Sequence, residues 1–376
     1  MKPIKIVYLV SEDWYFYSHR FDLAKASIKQ GYEVTLITRV GRHAGVIREA
    51  GINLIDVNFR RAAGNPFDDL LLLFSVSRIY RKIKPDIVHH VALKAILIGS
   101  LASLINLVPV VINAVTGLGN LFLQRDKGIA MLRMLVKPVL ISLLNRRNSW
   151  IILQNKDDQK DLIEHGMRAE RSILIKGAGV DLKNFNYSIE GDQIPLVILA
   201  ARMLRYKGIN DFVEAASLCL KAGLEARFVL VGDVDLENPS SLRSQELEKW
   251  HEEGLVEWWG HRDDMPAIME KASIVCLPNY HREGLPKTLL EAAASGRSII
   301  ATDVPGCREI VINEENGLLV PAKNAKSLAQ AITRLVEDKP LRLRMGENGR
   351  KLVESEFSVD IIISQTLALY EQALNT

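Results

Sequence analysis

Cysteine is scarce in this chain of 376 residues. Its three cysteines, Cys219, Cys276 and Cys307, are widely spaced and odd in number. They form neither a metal-ligand pattern nor a disulfide framework, which points to a reducing compartment. The opening, MKPIKIVYLVSED, has too short an apolar stretch before Glu12 and Asp13 to make a signal-peptide core. It reads as a first buried strand, and the expected location is the cytoplasm. No G-x-G-x-x-G follows any strand-like run, which argues against a dinucleotide fold fingerprint. TGLGNLF at 116–122 has two of the three glycines. Long uncharged runs are also missing, with one exception at residues 95–124. Gly99, Asn106, Pro109, Asn113 and Gly117 interrupt that run, and VPVVINAV reads as a strand after a helix. Its length would suit a membrane span, but these breakers argue against one.

The overall charge is only +3, and no nucleic-acid partner is expected. The distribution is uneven. Residues 1–183 hold 27 Lys and Arg against 16 Asp and Glu, whereas the rest holds 21 against 29. The first half is thus expected to face something anionic. Its densest basic stretch, Arg125 to Arg147, interleaves six cations with apolar residues. Such a helix can lie on an anionic membrane surface or pack its apolar side into a core.

Apolar runs of strand length alternate with amphipathic helical segments throughout. IKIVYLV, YEVTLIT, INLIDVNF, DIVHHV and WIILQN serve the first half; IPLVILA, ARFVLVG, VEWWG, SIVCLP and SIIATD serve the second. This order predicts α/β architecture with two parallel sheets, each covered on both faces. Two Rossmann-like domains are expected, at 1–188 and 189–356, with a polar hinge near 184–195. The apolar segment 357–376 is expected to pack back on the first domain.

Ligands of open α/β sheets bind beyond the carboxyl ends of the strands. After IPLVILA comes ARMLRYKGIND, whose Arg202 and Lys207 stand just before a helix. Two cations beside a helix N-terminus suit a diphosphate, although a solvated loop has the same composition. Further along, YHREGLPKTLLEAAASG holds Glu283 and Glu291 with seven residues between them. Pro286 marks a helix start, and Gly284 allows close backbone approach to a ligand. Glu291 is placed to accept hydrogen bonds from a vicinal diol, and Glu283 to attend a reacting sugar. Otherwise they are a surface glutamate and a charge complementing the helix dipole.

EGLPKTLLE, ARMLRYKG, LVGDVD and the run GHRDDMPAIMEKASIVCLPNYHREGLP resemble the retaining GT-B glycosyltransferases of family 4. HRFDLAKASIKQGYEV, NPF, KPDIVHHVALKA and AVTGLGNLF are similar to bacterial enzymes that extend lipid-diphosphate-linked sugars. N-acetylgalactosaminyltransferases of protein N-glycosylation are among these. The family's glycine-rich loop after the first strand is missing; SEDWYFYSHR stands there.

The resemblance implies a GT-B fold, two Rossmann-like domains facing a central cleft, and sugar transfer with retention. The donor would be a UDP-sugar carrying an N-acetylhexosamine, GalNAc or GlcNAc. The acceptor would be a polyprenyl-diphosphate-linked saccharide, with the enzyme peripheral on the inner face of the cytoplasmic membrane. Arg202 and Lys207 would neutralise the leaving diphosphate, Glu291 would hold the ribose, and Glu283, Gly284, Leu285, Pro286, Lys287 and Thr288 would meet the donor. Gly260, His261 and Arg262 would line the base pocket. His90 is the preferred cleft histidine and catalytic candidate, with His89 and His19 as alternatives. Lys94, Thr116, Gly117 and Gly119 are acceptor-side candidates. No cofactor and no metal are implied; DVD at 233–235 imitates a metal motif of another glycosyltransferase fold and reads as a loop. A nucleotide-sugar epimerase and a non-catalytic sugar-nucleotide sensor share the architecture and stay open at this point.

Overall fold

The computed structural model describes residues 2–59, 66–118 and 130–376, apart from the side chains of 66 and 130–135. The chain forms two compact units, Met1–Ala178 with Asp360–Thr376, and Gly179–Val359. Gly119 and residues 125–129 of the basic stretch Arg125 to Arg147 fall outside what is described, as does the side chain of Arg133.

The first unit is built on β1 (Lys5–Glu12), β2 (Glu33–Arg39), β3 (Asn53–Asp56), β4 (Ile87–Val91), β5 (Val110–Val115), β6 (Ser149–Leu153) and β7 (Ser172–Leu174). All pairs are parallel, in the order β3-β2-β1-β4-β5-β6-β7. Helices cover both faces of the central strands, so β4 and β5 are buried along their whole length. One covering helix comes from the end of the chain. Val359–Leu374 lays Ile362, Leu367, Leu369, Tyr370 and Ala373 into the core formed by Ile6, Tyr8, Ile87 and Ile112. Tyr370 Oη lies 3.0 Å from Tyr8 Oη.

The second unit contains β8 (Leu196–Ala200), β9 (Arg227–Val231), β10 (Glu257–Trp258), β11 (Ile274–Leu277), β12 (Ser298–Thr302) and β13 (Gly317–Val320). These are also parallel, in the order β10-β9-β8-β11-β12-β13. The order reverses between β8 and β11. The crevice beyond their carboxyl ends is where open α/β sheets take ligands.

The polar segment 184–195 belongs wholly to the second unit. Arg297 Nη2 donates to the Ser188 carbonyl at 2.7 Å, and Lys339 Nζ reaches Asp192 Oδ1 at 2.5 Å. Arg342 grips Glu190 with two hydrogen bonds of 2.8 Å, and both side chains are buried. Burial pushes the Glu190 carboxyl up, but the hydrogen bonds from Arg342 and Ser273 outweigh it and hold the group below the ordinary value. The first crossing between the units falls at Ala178, ahead of the expected hinge. Removing one member of a buried pair strands the other charge. Arg342→Ala is therefore expected to destabilise the second unit by about 3–5 kcal/mol, read from urea unfolding. Arg342→Met combined with Glu190→Leu should recover most of that loss.

Candidate active site

The loops after β8, β9, β10 and β11 lie side by side because their strands are neighbours in the sheet. After β8, residues Arg205–Lys207 form a single tight turn, and Gly208 leads into the helix Ile209–Lys221. Gly208 has φ +77°, and a Cβ there would stand 2.0 Å from the Pro278 carbonyl oxygen. Only glycine lets the loop after β8 press against the loop after β11 in this way. The amide of Tyr280 then donates to the Tyr206 carbonyl at 2.8 Å. His281 stacks on Tyr206, with ring centroids 4.6 Å apart.

This contact brings Lys207 Nζ within 2.5 Å of Glu283 Oε1, with both side chains largely out of solvent. Arg202, across the same crevice, donates from Nη1 to Asp235 Oδ2 at 2.5 Å. The DVD segment is thus a loop past β9 whose second acid holds the arginine; its first acid accepts from the Val234 amide. Burial holds the His281 imidazole below its usual pKa; Glu283 opposes this while Lys323 and Lys207 add to it.

Glu283 is fixed from behind. Asn279 is fully buried, and its Nδ2 donates to Glu283 Oε1 at 3.1 Å and to the His281 carbonyl at 2.9 Å. Its Oδ1 accepts from Thr302 Oγ1 at 2.9 Å and from Cys307 Sγ at 3.3 Å. Gly306 supports the same loop: with φ +89°, it sits where a Cβ would be 2.6 Å from the Glu283 carbonyl oxygen.

Pro286 immediately precedes the helix Lys287–Ala294, which begins with Lys287 and Thr288. Thr288 Oγ1 donates to the Ala200 carbonyl at 3.0 Å, fastening the helix start to the end of β8. Leu285 packs against the core beneath, next to Gly284. Glu291 is buried rather than a surface residue, with Lys287 Nζ 3.7 Å from its Oε1. Burial raises its pKa, and Lys287 works the other way. The Gly260 carbonyl accepts from the Gly232 amide at 2.8 Å, tying the turn after β10 to the end of β9. His261 pairs with Asp263 and Arg262 with Asp264, all exposed. The second unit therefore gathers Arg202, Lys207, Gly260–Arg262, Glu283–Thr288 and Glu291 along one end of one sheet.

The first-unit candidates are not gathered. His89 and His90 are fully buried in mid-sheet, which corrects the expectation that one of them opens to a cleft. Alternation sends them to opposite faces. His89 Nδ1 meets Tyr370 Oη at 2.5 Å, whereas His90 meets Asn113 Oδ1 at 2.9 Å and Tyr80 Oη at 3.1 Å. Burial pushes the His90 pKa down to about 4, against a raising contact from Asn113, so the ring is a neutral core group. His19 stacks on Tyr15 at the end of the short helix Asp13–His19, which occupies the SEDWYFYSHR segment. Lys94 pairs with Asp69 at 2.7 Å. Thr116 and Gly117 follow β5, half-buried.

Family models match both units: "Glycosyl transferase 4-like" over residues 5–155 and "Glycosyl transferases group 1" over 183–352. An N,N'-diacetylbacillosaminyl-diphospho-undecaprenol alpha-1,3-N-acetylgalactosaminyltransferase of Campylobacter jejuni is 30% identical over 95% of this chain and 96% of its own length. The chain is a group 1 glycosyltransferase. An Escherichia coli UDP-Gal:alpha-D-GlcNAc-diphosphoundecaprenol alpha-1,3-galactosyltransferase is 27% identical over 80% of this chain and 79% of its own. Among solved structures, Anabaena HepE in complex with UDP and glucose superposes with a TM-score of 0.78 at 20% identity, covering 98% of this chain and 99% of that one. Sucrose-phosphate synthase of Thermosynechococcus elongatus gives 0.80 at 21%, covering 98% of each. The glycosyltransferase thus has the GT-B fold expected from its motifs.

Asn279 escaped the sequence reading, since an asparagine beside a proline signals only a turn. A hydrogen bond to a charged group contributes about 1.5–3 kcal/mol. Asn279→Ala in this glycosyltransferase is expected to lower kcat by roughly 10–100-fold with little change in donor KM. Steady-state kinetics well below the melting temperature of the variant, which loss of this buried side chain should lower, would check this.

Proposed function

We propose that this glycosyltransferase moves an N-acetylhexosamine, GalNAc or GlcNAc, from a UDP-sugar to a polyprenyl-diphosphate-linked saccharide, with retention at the anomeric carbon. The observation that carries the reading is the convergence of Lys207, Arg202, Glu283 and a helix start beyond the reversal between β8 and β11. Two cations and a helix dipole are suited to the charge that develops on a departing diphosphate. In this reading the diphosphate draws Arg202 and Lys207 away from Asp235 and Glu283. The positive charge for catalysis then comes from these side chains, and no metal is required. Glu283 turns to the donor sugar. Glu291 accepts from the ribose, where its burial strengthens each hydrogen bond.

The relatives support the substrate class. The Campylobacter jejuni enzyme is named for a diphospho-undecaprenol acceptor and GalNAc transfer. The Escherichia coli enzyme is named for UDP-Gal and a diphosphoundecaprenol acceptor. Among the described residues, no helix is long and apolar enough to cross a membrane. We accordingly assign the enzyme a peripheral place on the inner face of the cytoplasmic membrane.

The deciding experiment offers a panel of UDP-sugars with polyprenyl-diphosphate mono- and disaccharides and reads product linkage and anomeric form by NMR. An α-linked HexNAc product is expected; epimerised UDP-sugar without transfer, or binding without turnover, overturns the assignment. Lys207→Ala should lower kcat by about 10²–10³-fold and weaken donor binding less. Glu291→Ala should chiefly raise donor KM and Glu283→Ala chiefly lower kcat, since ribose contacts change little during reaction. Identical kinetic signatures for the two glutamate variants would count against the division of roles.

A further inference from the structure

The helix Pro66–Ile83 buries one face and leaves the opposite one in solvent. Leu72, Val76 and Tyr80 enter the core, spaced four apart. Phe67 is 60% exposed, Leu70 46%, Leu71 49% and Phe74 61%. These four fall at i, i+3, i+4 and i+7, so they form one stripe along the outward side. The next turns continue the stripe with exposed Arg78, Arg81 and Lys82. The two acids of the helix, Asp68 and Asp69, are spaced onto its other sides, and Asp69 is held by Lys94.

The neighbouring helix Leu93–Ile105 extends the surface. Lys94 meets Asp69 at one end, and Asn106 Nδ2 donates to Ser77 Oγ at 2.8 Å at the other, so the two helices run parallel. Leu104 and Ile105 are about half exposed, and Leu107 is 81% exposed. They therefore emerge beside the basic turns of the first helix. Clustered exposed apolar side chains of this size mark an interaction surface.

We propose that this two-helix face docks the enzyme on an anionic lipid surface. Charge complementarity selects that occupant. Apolar side chains enter the acyl boundary while the basic turns meet lipid phosphates. The acid-free outward face of Pro66–Ile83 removes the repulsion such a surface would impose. The inference rests on the proposed lipid-linked acceptor, whose saccharide stands just above such a surface. It assigns the contact to residues distinct from the stretch Arg125 to Arg147.

Flotation of the full chain with phosphatidylglycerol-containing vesicles tests it. Wild type should bind, release with rising salt as charges are screened, and bind pure phosphatidylcholine weakly. Phe67→Ser, Leu71→Ser and Phe74→Ser together should lower vesicle affinity by about 10²-fold. Arg78→Glu, Arg81→Glu and Lys82→Glu together should lower it by a similar factor. Both variants should keep the wild-type melting temperature and turnover on a short-chain water-soluble acceptor. Apolar-variant binding equal to wild type overturns the proposal, as does binding indifferent to salt and lipid charge. A wild-type dimer that the apolar variant dissolves, without vesicle binding, would assign the face to a second copy instead. Vesicle binding without turnover on the soluble acceptor would leave docking standing and count against the acceptor reading.

Discussion

The contact of Gly208 with the Pro278 carbonyl governs the geometry of the second unit. A side chain at 208 would drive apart the two loops that meet at the strand reversal. Lys207 and Glu283 would then separate, as would Tyr206 and His281. Thr288 closes the same crevice from the other side by bonding the end of β8. Together these two contacts set where cations, carboxylate and helix start can stand. The ion pair of Lys207 with Glu283 follows from this closeness: opposite charges brought so near and half-desolvated attract strongly.

Much of this was legible in the sequence because parallel strands buried on both faces read as apolar runs. The loops at their carboxyl ends then show the residue types that phosphate and sugar chemistry need. Arg202, Lys207, Glu283 and Glu291 are candidates read in this way, they stand along one end of the second sheet, and their motifs led to the family. His89 and His90 were misplaced for the same reason. Alternation assigns a face, but it does not say whether that face is covered, and β4 is covered on both. Asn279 was invisible because its function depends on Thr302 and Cys307, which meet it only in three dimensions. The segment 184–195 looked like a hinge because it is polar. Its polarity instead serves Arg297, Lys339 and Arg342, far along the chain.

The run LLLLF at 70–74 shows what composition alone conceals. One helix face cannot bury five consecutive apolar residues, so some of them must stand outside. The sequence thus contains the excess. The choice of exposed side chains is made by the sheet beneath, which receives Leu72 and Val76 and leaves Phe74 out.

The last helix has a consequence for biosynthesis. Residues up to Ala178 leave the ribosome before the second unit is made, but Tyr370, which covers Tyr8 and meets His89, is encoded after it. The whole second unit, Gly179–Val359, must be made in between. At roughly 5–20 residues per second, that interval is on the order of ten to forty seconds. During it, the face of β1 and β4 that carries Tyr8 and His89 lacks its cover. The order of synthesis therefore lets the second unit complete its core first, and the first unit closes only once the helix Val359–Leu374 has been made.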